Sequence, residues 1–268
     1  MSDLRPRRSA LFLPASNPRA VDKARTLPAD MILLDLEDAV RDDDKERARA
    51  AAIDAVAEGF GDRECAIRIN PPTSPWHDAD LAAVAASRAD YVVLPKAEDA
   101  DEVARIAAAA RRPMLAMVET PAGVLAAPAI ARAERIAGLI VGTNDLAAAL
   151  RLPDGVGRGP MMVALQAIVL AARAADVLAF DGVFNRLDDP AGLEAECHHG
   201  RHLGFDGKTL IHPSQIEVAN RAFSPSQAEL DEARALIAAA TGGAERFRGR
   251  MIETLHVEAA RRLLASAG

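Results

Sequence analysis

The chain has 268 residues, half of them apolar and only 3% aromatic, enough to bury a full core in one α/β barrel or two small domains. A formal charge of −7 excludes a nucleic-acid partner, since phosphate neutralisation needs a basic face, but leaves room for a small anion held by a local positive cluster. Cys65 and Cys197 are too few and too isolated for a disulfide framework or a zinc site, and no apolar run reaches membrane-spanning length.

The first residues, MSDLRPRR, lack the apolar stretch of a signal peptide, so the chain reads as soluble and cytoplasmic with a frayed basic start. Eight short apolar runs follow, at 9–13, 31–36, 65–70, 91–95, 114–119, 138–142, 179–184 and 205–212. Helical patterns lie between nearly all of them. Residues 42–58 give the clearest, with acids first and Ala52, Ile53 and Val56 in an apolar stripe. Residues 78–88, 99–111, 121–135, 160–175 and 190–203 follow, several opened by Asp or Pro. Strand–helix alternation repeated in this way predicts an α/β fold of the parallel (β/α)8 barrel type. An open doubly wound sheet is the alternative, but no GxGxxG follows any strand. Beyond the eighth run, helices start at Pro213, Ser226 and Met251, and the Gly-rich loop 241–249 detaches the last of them. The expected division is a barrel over 1–222 and a helical extension over 223–268 that offers a face to a neighbouring subunit.

Barrels gather chemistry at the carboxyl ends of their strands. Asp35, Glu37, Asp38, Arg68, Asn70, Lys96, Glu119, Asp145, Asn185 and His212 all fall there, more ionisable groups than a purely structural rim needs. Singly, Glu119 reads as a carboxylate at a helix N-terminus and Asp145 as an N-cap. Together, on successive strands, they suit a hard divalent cation, which takes oxygen ligands and leaves positions for substrate. Arg68 sits between Ile67 and Ile69, so alternation turns it into the barrel mouth, where a guanidinium can grip a carboxylate or one of the rim acids. Of Asp35, Glu37 and Asp38, at least one is expected to cap a helix or sit in its first turn, which leaves one or two for function. Arg19 and Lys23, one helical turn apart, could grip phosphates, but spacing alone favours a solvated helix face. The pair His198 and His202 lacks an HExxH and also reads as solvated helix; His212 before Pro213 starts a helix; neither cysteine has a nucleophile's setting.

Several motifs carry a further resemblance: LLDLEDAV, AIRINPP, YVVLPKAE, MVETPAGV, GTNDLA, FDGV, GFDGKTLIHPSQI and GRMIE, in that order over nearly the whole chain. They resemble the citrate lyase β-subunit-like branch of the HpcH/HpaI aldolase/citrate lyase family. That resemblance implies a (β/α)8 barrel of the phosphoenolpyruvate/pyruvate superfamily type, assembled as a homotrimer or hexamer. It implies cleavage or formation of a carbon–carbon bond in a 3-hydroxyacyl thioester such as malyl-, citramalyl- or citryl-CoA, with Mg²⁺ (or Mn²⁺) as cofactor. Carried over by motif, Glu119 and Asp145 would ligate the metal, and Arg68 would bind the 2-keto acid with the N–H groups around Thr143 and Asn144. Glu37 and Asp38 would support metal waters, while Arg19, Lys23 and Lys96 would contact CoA phosphates. The proton donor of the family, an Asp in a GxMxDxP-like segment supplied by a neighbouring subunit, corresponds here to Glu253, with no Pro following. Three alternatives stand beside the lyase. A divalent-metal 2-keto-acid aldolase is disfavoured because Asp35-Leu36-Glu37-Asp38 lacks that branch's His. A thioester-binding subunit of a larger complex, with an acyl-carrier protein as partner, and an acyl-CoA thioesterase remain open.

Overall fold

The computed structural model describes residues 5–266. Eight strands, β1 (Ser9–Pro14), β2 (Met31–Asp35), β3 (Glu64–Arg68), β4 (Tyr91–Leu94), β5 (Met114–Val118), β6 (Ile136–Val141), β7 (Leu178–Asp181) and β8 (Gly207–Leu210), close into a parallel barrel. Closure is made by β1, which pairs with β2 on one side and with β8 on the other. Strands such as β2 and β5 are buried along their whole length, because helices cover the outer wall and side chains fill the inside. That double burial is why the sequence shows apolar runs rather than alternation.

Helices α1 (Pro18–Ala24), α2 (Lys45–Glu58), α3 (His77–Ala86), α4 (Ala100–Ala110), α5 (Pro121–Ala131), α6 (Thr143–Ala149), α7 (Met162–Ala175) and α8 (Pro190–Leu203) connect the strands in turn. Their starts are chemically marked. Asn17, Asp99, Thr120 and Asp189 each accept a backbone N–H from the first turn they cap, and Pro opens α1, α5 and α8. Helix α5 stops at Ala131, short of the expected 135, because the chain must turn back before β6 and does so with Arg135 at φ 68°.

Two apolar clusters flank the barrel wall. Inside lie Ala10, Met31, Leu33, Ala66, Val93, Leu115, Met117, Ile140 and Phe180; outside, the alternate residues pack against the helices. The arginine-rich start is not frayed. Arg7 makes two 2.7 Å hydrogen bonds to the Glu64 carboxylate and Arg8 holds Asp30, so the chain is strapped across the amino end of the barrel.

After β8 come α9 (Ile216–Phe223), α10 (Gln227–Ala239), strands β9 (Glu245–Phe247) and β10 (Arg250–Ile252), and α11 (Thr254–Ala265). The stretch 241–249 is therefore not all loop. Residues 245–252 form an antiparallel hairpin, with Arg248 (φ 47°) and Gly249 (φ 85°) as the two left-handed residues that a tight hairpin turn requires. Ala233, Leu236, Phe247, Ile252 and Ala260 give this tail a core of its own, separate from the barrel's. Arg201 on α8 bridges to Glu229 on α10 at 2.7 Å. Among the described residues no helix is long and apolar enough to cross a membrane.

The Phe180 ring is fully buried in the inner cluster. Phe180→Ala is expected to cost about 3–5 kcal/mol of unfolding free energy, read from urea titration followed by circular dichroism.

Candidate active site

The site is built from the carboxyl ends of neighbouring strands. Asp35 and Arg68 are register partners across β2 and β3. Arg68 donates from Nε and Nη2 to the two Asp35 oxygens, at 2.7 and 2.6 Å. The same carboxylate accepts the backbone N–H groups of Glu37 and Ala39, so all of its capacity is used in shaping the turn and bracing the guanidinium. Asp35 thus caps the turn after β2 and not, as the sequence suggested for one acid of this cluster, a helix. The remaining Arg68 nitrogen, Nη1, lies 3.0 Å from Glu37 and 3.6 Å from Asp38, and the guanidinium stacks on Phe12 at 4.9 Å. Burial works against this charge, but Asp35, Glu37 and Asp38 outweigh it and raise the pKa of Arg68.

Glu119 follows β5 directly. Its Oε1 accepts the backbone N–H of Lys96 at 2.8 Å. Lys96 adopts a left-handed backbone (φ 52°), a conformation a residue with a side chain holds only when its surroundings insist, and its ammonium meets Glu37 Oε1 at 3.2 Å. Burial is the main reason the Glu119 carboxyl is pushed up to about 7; the Lys96 N–H and Arg68 oppose this, and the Glu37 and Asp145 charges add to it. Glu37 is also raised, again chiefly by burial. Its Oε2 is buried and outside hydrogen-bonding angles even to Arg68, so a lone pair remains open.

Beyond β6, Gly142 lets the backbone pass hard against Glu119: a Cβ there would overlap Glu119 Oε2. Gly142 is the N-cap position of α6, which makes Asp145 the third residue of the helix rather than its cap. The N–H groups of Thr143 and Asn144 lie in the first helical turn, where no intrahelical acceptor exists. The Asn144 side chain accepts an N–H from Asn185 at 2.7 Å, which ties α6 to the loop after β7.

Asp35, Asp38, Arg68, Glu119, Thr143, Asn144 and Asp145 line one cavity of about 360 Å³, closed on its other side by apolar groups including Phe12, Met117, Val183 and Ile211. Among the described residues no three His, Cys, Asp or Glu side chains converge as a complete metal cage. Two carboxylates facing open volume suit a hard cation that keeps most positions for water and substrate oxygens, while Glu37 is buried against Arg68 and outside the cavity lining.

Other candidates lie apart. Arg19 and Lys23 are exposed on α1. Glu253 is outside the barrel cavity of its own chain: it is the N-cap of α11, where the His256 N–H donates to its backbone carbonyl at 2.9 Å and His256 Nδ1 accepts the Glu253 N–H at 3.0 Å. His198 and His202 are exposed with ring centres 6.5 Å apart, and His212 caps a short turn. Both cysteines are buried, and burial pushes the Cys197 thiol up to about 12 and that of Cys65 higher still, so neither is a nucleophile. The residues that sequence reading missed are Lys45 and Asp80, both buried beneath the rim. Lys45 stands in the apolar stripe of α2 with Ala48 and Ala52, the one visible signal that it points inward.

Residues 8–213 match the HpcH/HpaI aldolase/citrate lyase family, and the chain belongs to it. A (3S)-malyl-CoA thioesterase from Cereibacter sphaeroides is 42% identical over 98% of this chain and 95% of its own length. The citrate lyase β subunit of Escherichia coli K12 is 35% identical over 98% and 94%. Among solved structures, CitE from Mycobacterium tuberculosis with magnesium, acetoacetate and coenzyme A superposes with a TM-score of 0.86 at 35% identity, covering 99% of this chain and 100% of that one.

The raised Glu119 pKa has a stability consequence. The folded carboxyl binds its proton more tightly than an unfolded one at 4.5, so without divalent cation stability falls as pH rises from 4.5 to about 7. Denaturation midpoints measured in EDTA across that range should show the decline, and Glu119→Gln should flatten it. Gly142→Ala should displace Glu119 and weaken Mn²⁺ binding, measured by calorimetry, by about tenfold or more while the circular dichroism spectrum is retained.

Proposed function

We propose that this chain is a Mg²⁺-dependent enzyme of 3-hydroxyacyl-CoA thioesters of the malyl type, cleaving the carbon–carbon bond beside the hydroxyl to give an acyl-CoA and a 2-keto acid. The observation that carries this reading is the meeting of Glu119, Asp145 and Arg68 in one small cavity with the first-turn N–H groups of α6. Held by Glu119 and Asp145, Mg²⁺ would supply Lewis acidity to the hydroxyl and carboxylate oxygens of the substrate. The chain's own residues do the rest. Arg68, locked in place by Asp35, offers Nη1 to the oxygen that gathers charge as the bond breaks. Thr143 and Asn144 donate backbone N–H groups to the keto-acid carboxylate. Glu37 and Asp38 orient water at the rim, and the apolar wall keeps bulk solvent out. Arg19 and Lys23 are the exposed cations for the CoA phosphates; Lys96 would join them only by leaving Glu37.

The carbon freed by cleavage needs a proton, and Glu253 of a neighbouring subunit is the group assigned to supply it. On this reading the enzyme works in the cytoplasm as a homotrimer or hexamer whose tail, residues 223–268, reaches the adjacent barrel. A second reading is hydrolysis of the same thioester to the hydroxy acid and free CoA. It is favoured by the place of Glu253, which caps its own helix, and by the Cereibacter relatives, which are thioesterases.

Incubation with (3S)-malyl-CoA and Mg²⁺ separates the two. Cleavage yields acetyl-CoA and glyoxylate, trapped as its phenylhydrazone; hydrolysis yields malate and a free thiol, read with a disulfide reagent. Either activity should vanish in EDTA and fall by about 100-fold or more in Glu119→Gln or Arg68→Met. Absence of both, with citramalyl- and citryl-CoA also inert, would overturn the assignment. Glu253→Gln should abolish cleavage while leaving keto-acid binding unchanged; cleavage at the wild-type rate removes it from the mechanism.

A further inference from the structure

Lys45 stands where neither burial nor helix electrostatics favours a lysine. It is the first residue of α2, at the positive end of the helix dipole, and is only 6% exposed. Among the described residues no carboxylate pairs with it. Its ammonium instead donates to three neutral acceptors: Leu36 O at 2.8 Å, Glu37 O at 2.7 Å and Asn70 Oδ1 at 2.8 Å. An ammonium has three N–H bonds to give, and all three are used.

Those acceptors fall on the two segments that carry the rim. Leu36 and Glu37 leave the end of β2, just past the Asp35 brace. Asn70 lies two residues beyond Arg68, at the end of β3. Asn70 is fixed in its turn, since its Nδ2 donates to Leu36 O at 3.0 Å and to Asp80 Oδ2 at 2.6 Å, while Arg49 holds the other Asp80 oxygen at 2.6 Å. Lys45 therefore ties the strand end that presents Glu37 to the strand end that presents Arg68, from behind and out of reach of substrate.

We propose that Lys45 is a positioning residue for the reaction, fixing the separation of the Glu37 carboxylate from the Arg68 guanidinium. The inference rests on the reading that Glu37 and Arg68 act at the cavity. Without the ammonium, two backbone carbonyls lose a buried donor: Leu36 O keeps the Asn70 amide, and Glu37 O is left with the Val40 N–H inside its own turn. A shift of about 1 Å in Glu37 is enough to cost about 100-fold in rate.

The test compares Lys45→Met, which keeps the length of the side chain and removes its donors, with Arg7→Met, which breaks a buried ion pair at the opposite end of the barrel. Hydrogen exchange of the metal-free proteins, read by mass spectrometry, should show faster exchange over 36–40 in Lys45→Met and no change there in Arg7→Met. With malyl-CoA and Mg²⁺, Lys45→Met should lower kcat by about tenfold or more with KM within about threefold, while Arg7→Met keeps both near wild type. Should Lys45→Met fail to fold, Lys45→Gln, with a shorter donor, takes its place. Unchanged exchange over 36–40 overturns the proposal, as does faster exchange with unaltered kcat, or an equal kcat loss in Arg7→Met. If the wild-type protein turns over no thioester, the functional reading fails, and the exchange arm alone still decides whether Lys45 holds this turn.

Discussion

The ion pair of Arg68 and Asp35 is the constraint on which the rest of the site depends. Two parallel hydrogen bonds across adjacent strands fix the guanidinium in the barrel mouth, at a position where burial alone would expel a charge. Breaking such a pair on one side only costs about 3–5 kcal/mol, because a charge is left buried without its partner. Asp35 also receives two backbone N–H groups from the following turn, so one carboxylate sets both the direction of Arg68 and the path that brings Glu37 beside it. Glu37 then holds Lys96, and the Lys96 N–H holds Glu119. From β2 to β5 the rim is one chain of contacts.

That chain explains the electrostatic character of the cavity. Positive charge is fixed and fully braced, whereas Glu119 and Glu37 sit in surroundings that disfavour their ionised forms. Two carboxylates are thus held near one another at a cost in free energy.

Much of this was legible in the sequence. All eight strands announced themselves as apolar runs, because each is buried on both faces, and Glu119 and Asp145 stood out because they follow β5 and β6 where the chain turns into helices. Arg68 was aimed correctly by alternation with Ile67 and Ile69, which face the outer core. What escaped did so for more than one reason. The Arg7 and Arg8 strap reads as a loose basic start until register brings Glu64 and Asp30 beneath it. Lys45 escaped because hydropathy assigns every lysine to solvent, and its place in the stripe of α2 gains meaning only once the three acceptors are seen around it. The hairpin after α10 was hidden because strands of three residues carry too little pattern to register.

The separate core of the tail has an evolutionary corollary. Five buried residues, Ala233, Leu236, Phe247, Ile252 and Ala260, hold that unit together, and none belongs to the barrel's two apolar clusters. Substitutions near the carboxyl terminus can therefore accumulate, or the whole appendage be remodelled, with little penalty to the packing of the barrel. A lineage built this way can vary its tail while the barrel rim stays put.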